Sequence, residues 1–135
     1  MAEPGPKPVL YVAACALLDA DGRILIARRP EGKPMAGLWE FPGGKQETGE
    51  TIQQCVVREL KEELGINTEI GDFLITVKHA YSHFTMEMHT YFARIKSGRP
   101  RPLHCQDYQW LKISELRRVP YSRADLYIID ELEKR

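Results

Sequence analysis

Hydrophobic positions in this chain repeat with two different periods. Val9 to Leu18 is an almost unbroken apolar run, and Arg23 to Arg29 (RILIARR) follows it across the turn cluster Asp19-Ala20-Asp21-Gly22. Short apolar runs bounded by turn residues read as strands, so the two predict a hairpin. Pro30 to Gly37 is a loop by its Pro, Gly and Lys content, and the β-prone Leu38-Trp39-Glu40-Phe41 is stopped by Pro42-Gly43-Gly44. The period then changes. At about 100° per residue, Ile52, Val56, Leu60 and Leu64 align in one stripe, which predicts a helix over about 50–64. Thr48 or Thr51 caps its start and Gly65 stands where a C-terminal glycine ends it. A β-like run within Asn67 to Ser82 (FLITVKHAY) and another over Thr85 to Lys96 make an antiparallel pair. In the second, Glu87, His89 and Tyr91 share one face while Met86, Met88, Thr90 and Phe92 share the other, which reads as core. A loop (SGRPRP), a strand over Asp107 to Leu111, a short turn or helix over Ile113 to Leu116 and a closing amphipathic helix over about Arg123 to Glu133 complete the chain. That last helix carries Leu126, Ile129 and Leu132 on one side. Residues 1–8, rich in proline, read as an extended lead-in to a single domain over 9–135 of the α+β class.

Composition narrows the function. Lys plus Arg and Asp plus Glu are both 19, so the net charge is zero and no global field attracts a polyanion. A stable nucleic-acid complex is not expected from such a chain, and any phosphate recognition must be local. The three cysteines, Cys15, Cys55 and Cys105, are far apart and form no CxxC pair, which indicates neither a disulfide framework nor a cysteine-rich zinc site. The histidines His79, His83 and His89 lack helical ligand spacing for zinc. No run approaches the roughly 18 apolar residues needed to span a bilayer, so the expectation is a cytoplasmic protein with no membrane partner.

The helix over 50–64 changes the reading most. Glu59, Glu62 and Glu63 lie within five consecutive residues, and residues three and four apart on a helix are neighbours whose like charges repel. The helical wheel also puts Glu59 and Glu63 beside Ile52 at the edge of the apolar stripe, with Glu62 flanking them. Carboxylates turned towards packed structure are costly unless paired or bound to a cation. Arg58 or Lys61 can supply that charge as ordinary salt bridges, and a metal ion can supply it as well. Upstream, the Gly43-Gly44 pair reads as a simple turn or as backbone shaped to approach an anion. The Arg28-Arg29 pair reads as a solvated strand end or as an anion contact.

Taken in order, Gly44, Glu50, Arg58-Glu59-Leu60, Glu62-Glu63 and Gly65-Ile66 resemble a complete Nudix box, the signature of the Nudix hydrolase superfamily. The flanking ARRPEGKPMAGLWEFPGGK and the late Trp110 with a closing helix are similar to the MutT-like branch. The resemblance implies an α/β/α sandwich with a mixed β-sheet and a catalytic loop-helix. It implies hydrolysis of nucleoside triphosphates to the monophosphate and pyrophosphate, often of oxidised guanine nucleotides such as 8-oxo-dGTP, with Mg²⁺ and with Mn²⁺ as a substitute. It also implies roles for residues of this chain. Glu59, Glu62 and Glu63 are metal ligands, Glu59 is the first choice of proton acceptor, Arg58 orients the acids, and Glu50 supports the loop or the metal shell. Gly44 contributes backbone, Arg29 and Lys45 contact substrate phosphates, and Asp125 reads the base, although an acid near a helix N-terminus is also favoured by the helix dipole. One departure stands out: related chains often carry a glutamate six residues ahead of the late tryptophan, and here that place holds His104. Either the helix acids suffice or another acid such as Glu87 substitutes. Other nucleoside diphosphate derivatives, such as a dinucleoside polyphosphate or ADP-ribose, are the alternative substrates within the superfamily, with Tyr81 at a place where relatives carry specificity residues. A nucleotide-sensing module without activity is the rival outside enzymology. The expected assembly is a monomer or a homodimer.

Overall fold

A computed structural model describes residues 6–135, so most of the expected N-terminal lead-in, residues 1–5, lies outside the described residues. The elements in chain order are β1 (Val9–Leu18), β2 (Ile24–Arg28), β3 (Trp39–Glu40), β4 (Gly43–Lys45), α1 (Ile52–Leu64), β5 (Asn67–Ala80), β6 (Thr85–Ser97), β7 (Asp107–Leu111), a 3-10 turn (Ile113–Arg118) and α2 (Arg123–Glu133). The strands form one mixed sheet with the path β3-β2-β1-β6-β5; β4 pairs with β1 and β7 pairs with β2.

The unbroken apolar run of β1 follows from burial on both sides, as expected of a central strand covered by helices. Ala13, Cys15 and Leu17 pack with Cys55, Val56, Leu60 and Leu64 of α1. Ala14 and Ala16, pointing the other way, pack with Ala124, Ile128, Ile129 and Leu132 of α2. The result is the α/β/α arrangement, with one helix against each face of the sheet. On α1, Val56, Leu60 and Leu64 are fully buried. Each such side chain contributes about 1.5–3 kcal/mol, against a few tenths of a kcal/mol for each like-charge pair on the helix. Packing therefore dictates how the helix lies, and the acids go where it takes them.

Local signals place the helix ends. Of the two threonines, Thr51 is the cap: its Oγ1 accepts from the Gln54 N–H at 3.1 Å and Gln54 Oε1 accepts from the Thr51 N–H at 2.8 Å, a reciprocal capping box. Gly65 closes the helix at φ 70 with its N–H on the Lys61 carbonyl, a left-handed conformation that glycine adopts without penalty.

Two expectations need correction. The predicted β1–β2 hairpin exists only at its turn, where Leu18 faces Ile24; beyond it the strands part. β1 instead runs parallel to β6 along its whole length, from Val9 opposite Thr85 to Leu18 opposite Arg94. Its other edge takes β4, with Val12 opposite Lys45, Ala13 opposite Gly44 and Ala14 opposite Gly43. The Gly43-Gly44 segment was expected to stop a strand; it forms one, because a side chain at Gly43 would collide with the Ala13 carbonyl and only glycine permits that approach. By this insertion the sheet opens between β1 with β4 on one side and β2 with β3 on the other.

Candidate active site

Arg58 is the hub of the loop and helix. Its guanidinium reaches Glu50 with two parallel bonds, Nε to Oε2 at 3.0 Å and Nη2 to Oε1 at 2.7 Å. Nη1 donates to Glu59 Oε1 at 2.9 Å and to Glu62 Oε2 at 3.3 Å, and Nη2 also donates to the Lys45 carbonyl at 3.0 Å. A rigid fork with five donors suits this many-sided task, which a point-charge ammonium does not. Bidentate pairing holds the Glu50 carboxyl well below its ordinary range, at about 2. Of the two cations that the helical pattern offered, Arg58 rather than Lys61 settles the repulsion, and Lys61 points to solvent. β4 adds a steric constraint: a side chain on Gly44 would fall inside the Glu59 carboxylate.

Glu63 stands apart from this hub. Arg58 pairs with Glu47, Glu50, Glu59 and Glu62 but not with Glu63. Burial pushes the Glu63 carboxyl up to about 8, with Glu40 and then Glu59 adding repulsion and the Gly43 N–H and Arg29 working the other way. Glu59 is also raised, by partial burial, with Arg58 opposing. Among the described residues no three acids, histidines or cysteines are gathered into a ready cluster for a metal. Arg58 has taken one oxygen each of Glu59 and Glu62.

The opening in the sheet is a cavity of about 330 Å³. Its lining includes the charged Glu63, Glu40, Arg29, Lys45 and Asp125 and the apolar Leu38, Phe41, Met86 and Met88, with Gly43, Gly44 and Ser122. Asp125 is buried at 7% exposure. Its Oδ2 accepts from the Ser122 hydroxyl at 2.7 Å and its Oδ1 from the Phe41 N–H at 3.3 Å. Burial pushes this carboxyl up to about 7 despite the Ser122 bond. An exposed acid at a helix N-terminus would be lowered by the dipole, so burial and not the helix end governs Asp125. The methionine face of β6 serves twice: Met88 belongs to the core, and both Met86 and Met88 form cavity wall. Tyr81 joins the same wall, stacked on Phe84 at 4.8 Å between ring centroids.

Of the sequence-derived site residues, the structure groups Glu50, Arg58, Glu59 and Glu62 in one network and sets Arg29, Lys45, Gly44, Glu63 and Asp125 along one cavity. His104 is exposed and offers its backbone N–H to the Glu63 carbonyl at 3.3 Å, helping to finish α1. Glu87 pairs with His89 at 3.1 Å on β6. By sequence Glu40 is only one residue of a β-prone segment, yet it joins Arg29 at 2.9 Å inside the cavity. Its signal was faint: a single acid between the buried Trp39 and Phe41.

Comparison with known proteins agrees with this geometry. The NUDIX domain family profile matches residues 13–131. The CTP pyrophosphohydrolase of Escherichia coli (strain K12) is 34% identical over 115 residues, covering 85% of each chain. An 8-oxo-dGTP diphosphatase of Proteus vulgaris is 43% identical over 82 residues, 59% of this chain and 73% of that protein. The crystal structure of the MutT NUDIX hydrolase from Burkholderia pseudomallei superposes with a TM-score of 0.83 at 29% identity, covering 93% of this chain and 99% of that one. With a matching profile across most of its length, a mixed sheet between two helices and an intact glutamate helix, this chain belongs to the Nudix hydrolase family, in its MutT-like branch.

Proposed function

We propose that the chain hydrolyses nucleoside or deoxynucleoside triphosphates to the monophosphate and pyrophosphate, with Mg²⁺ as the metal and Mn²⁺ as a substitute. The observation that carries this reading is the one cavity that holds partly buried Glu63 and buried Asp125 together, with Arg29 and Lys45 on its wall. A polyphosphate needs acids for a metal and cations for its oxygens at one end, and a base needs an apolar slot with a polar reader at the other.

The donor set fits a hard divalent cation. Glu59, Glu62 and Glu63 offer only carboxylate oxygens, and Glu63 lies partly buried with no cation paired to it among the described residues, a costly arrangement that a metal would relieve. Held by these glutamates, a divalent ion would polarise phosphoryl oxygens and offset charge on the leaving group. Arg58 holds one oxygen each of Glu59 and Glu62 and is anchored by Glu50, so both glutamates would keep their other oxygen for the ion. Arg29 and Lys45 hold phosphate oxygens, and Glu59 accepts the proton of the water that attacks phosphorus as the bond to pyrophosphate breaks. Asp125 reads the base. Ionised, it offers acceptor oxygens, and both cytosine (through its exocyclic amine) and 8-oxoguanine (through ring N–H groups) present donors; the relatives named for CTP and 8-oxo-dGTP fit that chemistry.

A panel of 8-oxo-dGTP, dGTP, CTP, dinucleoside polyphosphates and ADP-ribose, with phosphate and pyrophosphate detected separately, tests this reading. Nucleoside monophosphate and pyrophosphate in equal amounts are expected, with Glu62→Gln and Glu63→Gln folded but inactive. Full activity in those variants would remove the proposed metal site, and turnover of the last two substrates alone would replace the proposed reaction.

A further inference from the structure

Glu40 lines the cavity, and its charge acts on both Glu63 and Asp125. Its Oε2 accepts from Arg29 Nη1 at 2.9 Å, and the same guanidinium donates from Nε to the Pro34 carbonyl at 2.9 Å. Arg29 Nη2 makes no protein hydrogen bond among the described residues. Because the guanidinium is planar and its donors are fixed in a fork, holding two of them sets the direction of the third.

Pro34 belongs to the 30–38 loop, which places Met35 and Leu38 on the cavity wall. Few contacts of its own hold this loop. Residues 31–36 are exposed; the loop's base is closed by backbone bonds between Arg29 and Gly37 and Leu38, and its tip has only short-range ones such as Ala36 N–H to the Lys33 carbonyl and Leu38 N–H to the Met35 carbonyl. Met35 adopts φ 61, a left-handed conformation uncommon outside glycine, which persists only where surrounding structure imposes it. The Arg29 guanidinium ties the loop to the strand that carries Glu40. The Glu40 charge adds to the upward shifts of Glu63 and of Asp125.

We propose that Glu40 is a positioning residue: by gripping one edge of Arg29 it fixes the remaining edge for a substrate phosphate and, through the Pro34 carbonyl, fastens the 30–38 loop at the cavity. The phosphate role rests on the polyphosphate reading above, whereas the loop tie rests on the contacts alone. Phosphate binding and the placement of Met35 and Leu38 are thereby linked through one side chain. Losing Glu40 loosens both, while the glutamates of α1 keep their Arg58 network.

Two measurements on the full chain test this. Hydrogen exchange on metal-free protein should show the 30–38 amides exchanging roughly tenfold faster in Glu40→Ala and in Arg29→Lys, the loss expected for one charge-assisted bond, with α1 amides unchanged. Steady-state kinetics on whichever nucleotide the wild type turns over should show KM raised roughly tenfold in Glu40→Ala with kcat changed less than about threefold, and Glu40→Gln lying between the two. Unchanged loop exchange in both variants overturns the tie, as does an equal rise across α1, which marks general destabilisation. A fall in kcat at constant KM overturns the positioning role. Should the wild type hydrolyse no nucleotide, the polyphosphate reading falls, and exchange alone decides whether Glu40 holds the loop.

Discussion

Replacing Gly44 by alanine adds one methyl group where β4 meets α1. Its carbon would stand 2.5 Å from Glu59 Oε1 and 2.7 Å from Oε2. Non-bonded heavy atoms settle near 3.5 Å or beyond, so the carboxylate must withdraw by about 1 Å. The Gly44 backbone lies outside the positive-φ region, so alanine introduces no backbone strain and the whole effect falls on Glu59. Withdrawal stretches the 2.9 Å bond from Arg58. Overpacking costs about 1–3 kcal/mol; the atoms met are the far end of the flexible, partly exposed Glu59 side chain, which can yield, so the low end applies. About 1 kcal/mol lowers the Tm of a chain this size by about 3–5 °C. Catalysis suffers more, since a misplacement of about 1 Å costs about 100-fold in rate, or about 2.7 kcal/mol of transition-state stabilisation. The assay is pyrophosphate release by wild type, Gly44→Ala, Glu59→Ala and the double variant, alongside thermal unfolding of each. If Gly44 acts through Glu59, alanine at 44 adds no loss on the Glu59→Ala background. Full activity in Gly44→Ala, or the same additional 100-fold loss in the double variant, refutes the reasoning.

The buried carboxyl of Asp125 makes a second prediction through pH. Its folded pKa of about 7 lies above the ordinary 3.8, so the folded state binds the proton more tightly than the unfolded state. The associated cost is absent below the unfolded pKa, grows as pH rises between 3.8 and about 7, and is complete above that, reaching at most about 4 kcal/mol. Asp125→Asn keeps an acceptor for the Phe41 N–H and a donor for Ser122 Oγ; its urea midpoint should exceed that of wild type at pH 8 and converge with it near pH 4. A stability difference independent of pH would exclude ionisation of Asp125 as the cause. In the core, Leu60→Ala empties a fully buried site between α1 and β1 and should cost about 2–5 kcal/mol in urea unfolding. A loss below about 1 kcal/mol would show that the helix repacks freely.

The sequence by itself determined the elements whose signals are local. The strand over Asp107–Leu111 and the helix over Arg123–Glu133 have the bounds that periodicity predicts, α1 begins within two residues of its predicted start, and the α+β class follows from their sum. The acids at the edge of the α1 stripe were legible for the same reason, since a helical wheel needs only neighbouring residues. Tertiary structure alone decided the choices that depend on distant partners. It selected Arg58 over Lys61 because β4 and the Glu47–Glu50 loop return to the helix on that side. β4 itself was illegible, because two glycines carry no alternating pattern and pair only where Ala13 and Ala14 receive them. The cavity exists because β1 leaves β2 after one facing pair and joins β6 instead. Only that parting brings Glu40 of β3, Glu63 of α1 and Asp125 of α2 to one space. Strand order is a non-local property, and so is burial, which sets the charge state of Glu63 and Asp125. The glutamate helix was thus written in the chain, while the cavity that gives it a substrate-sized neighbour was made by the sheet.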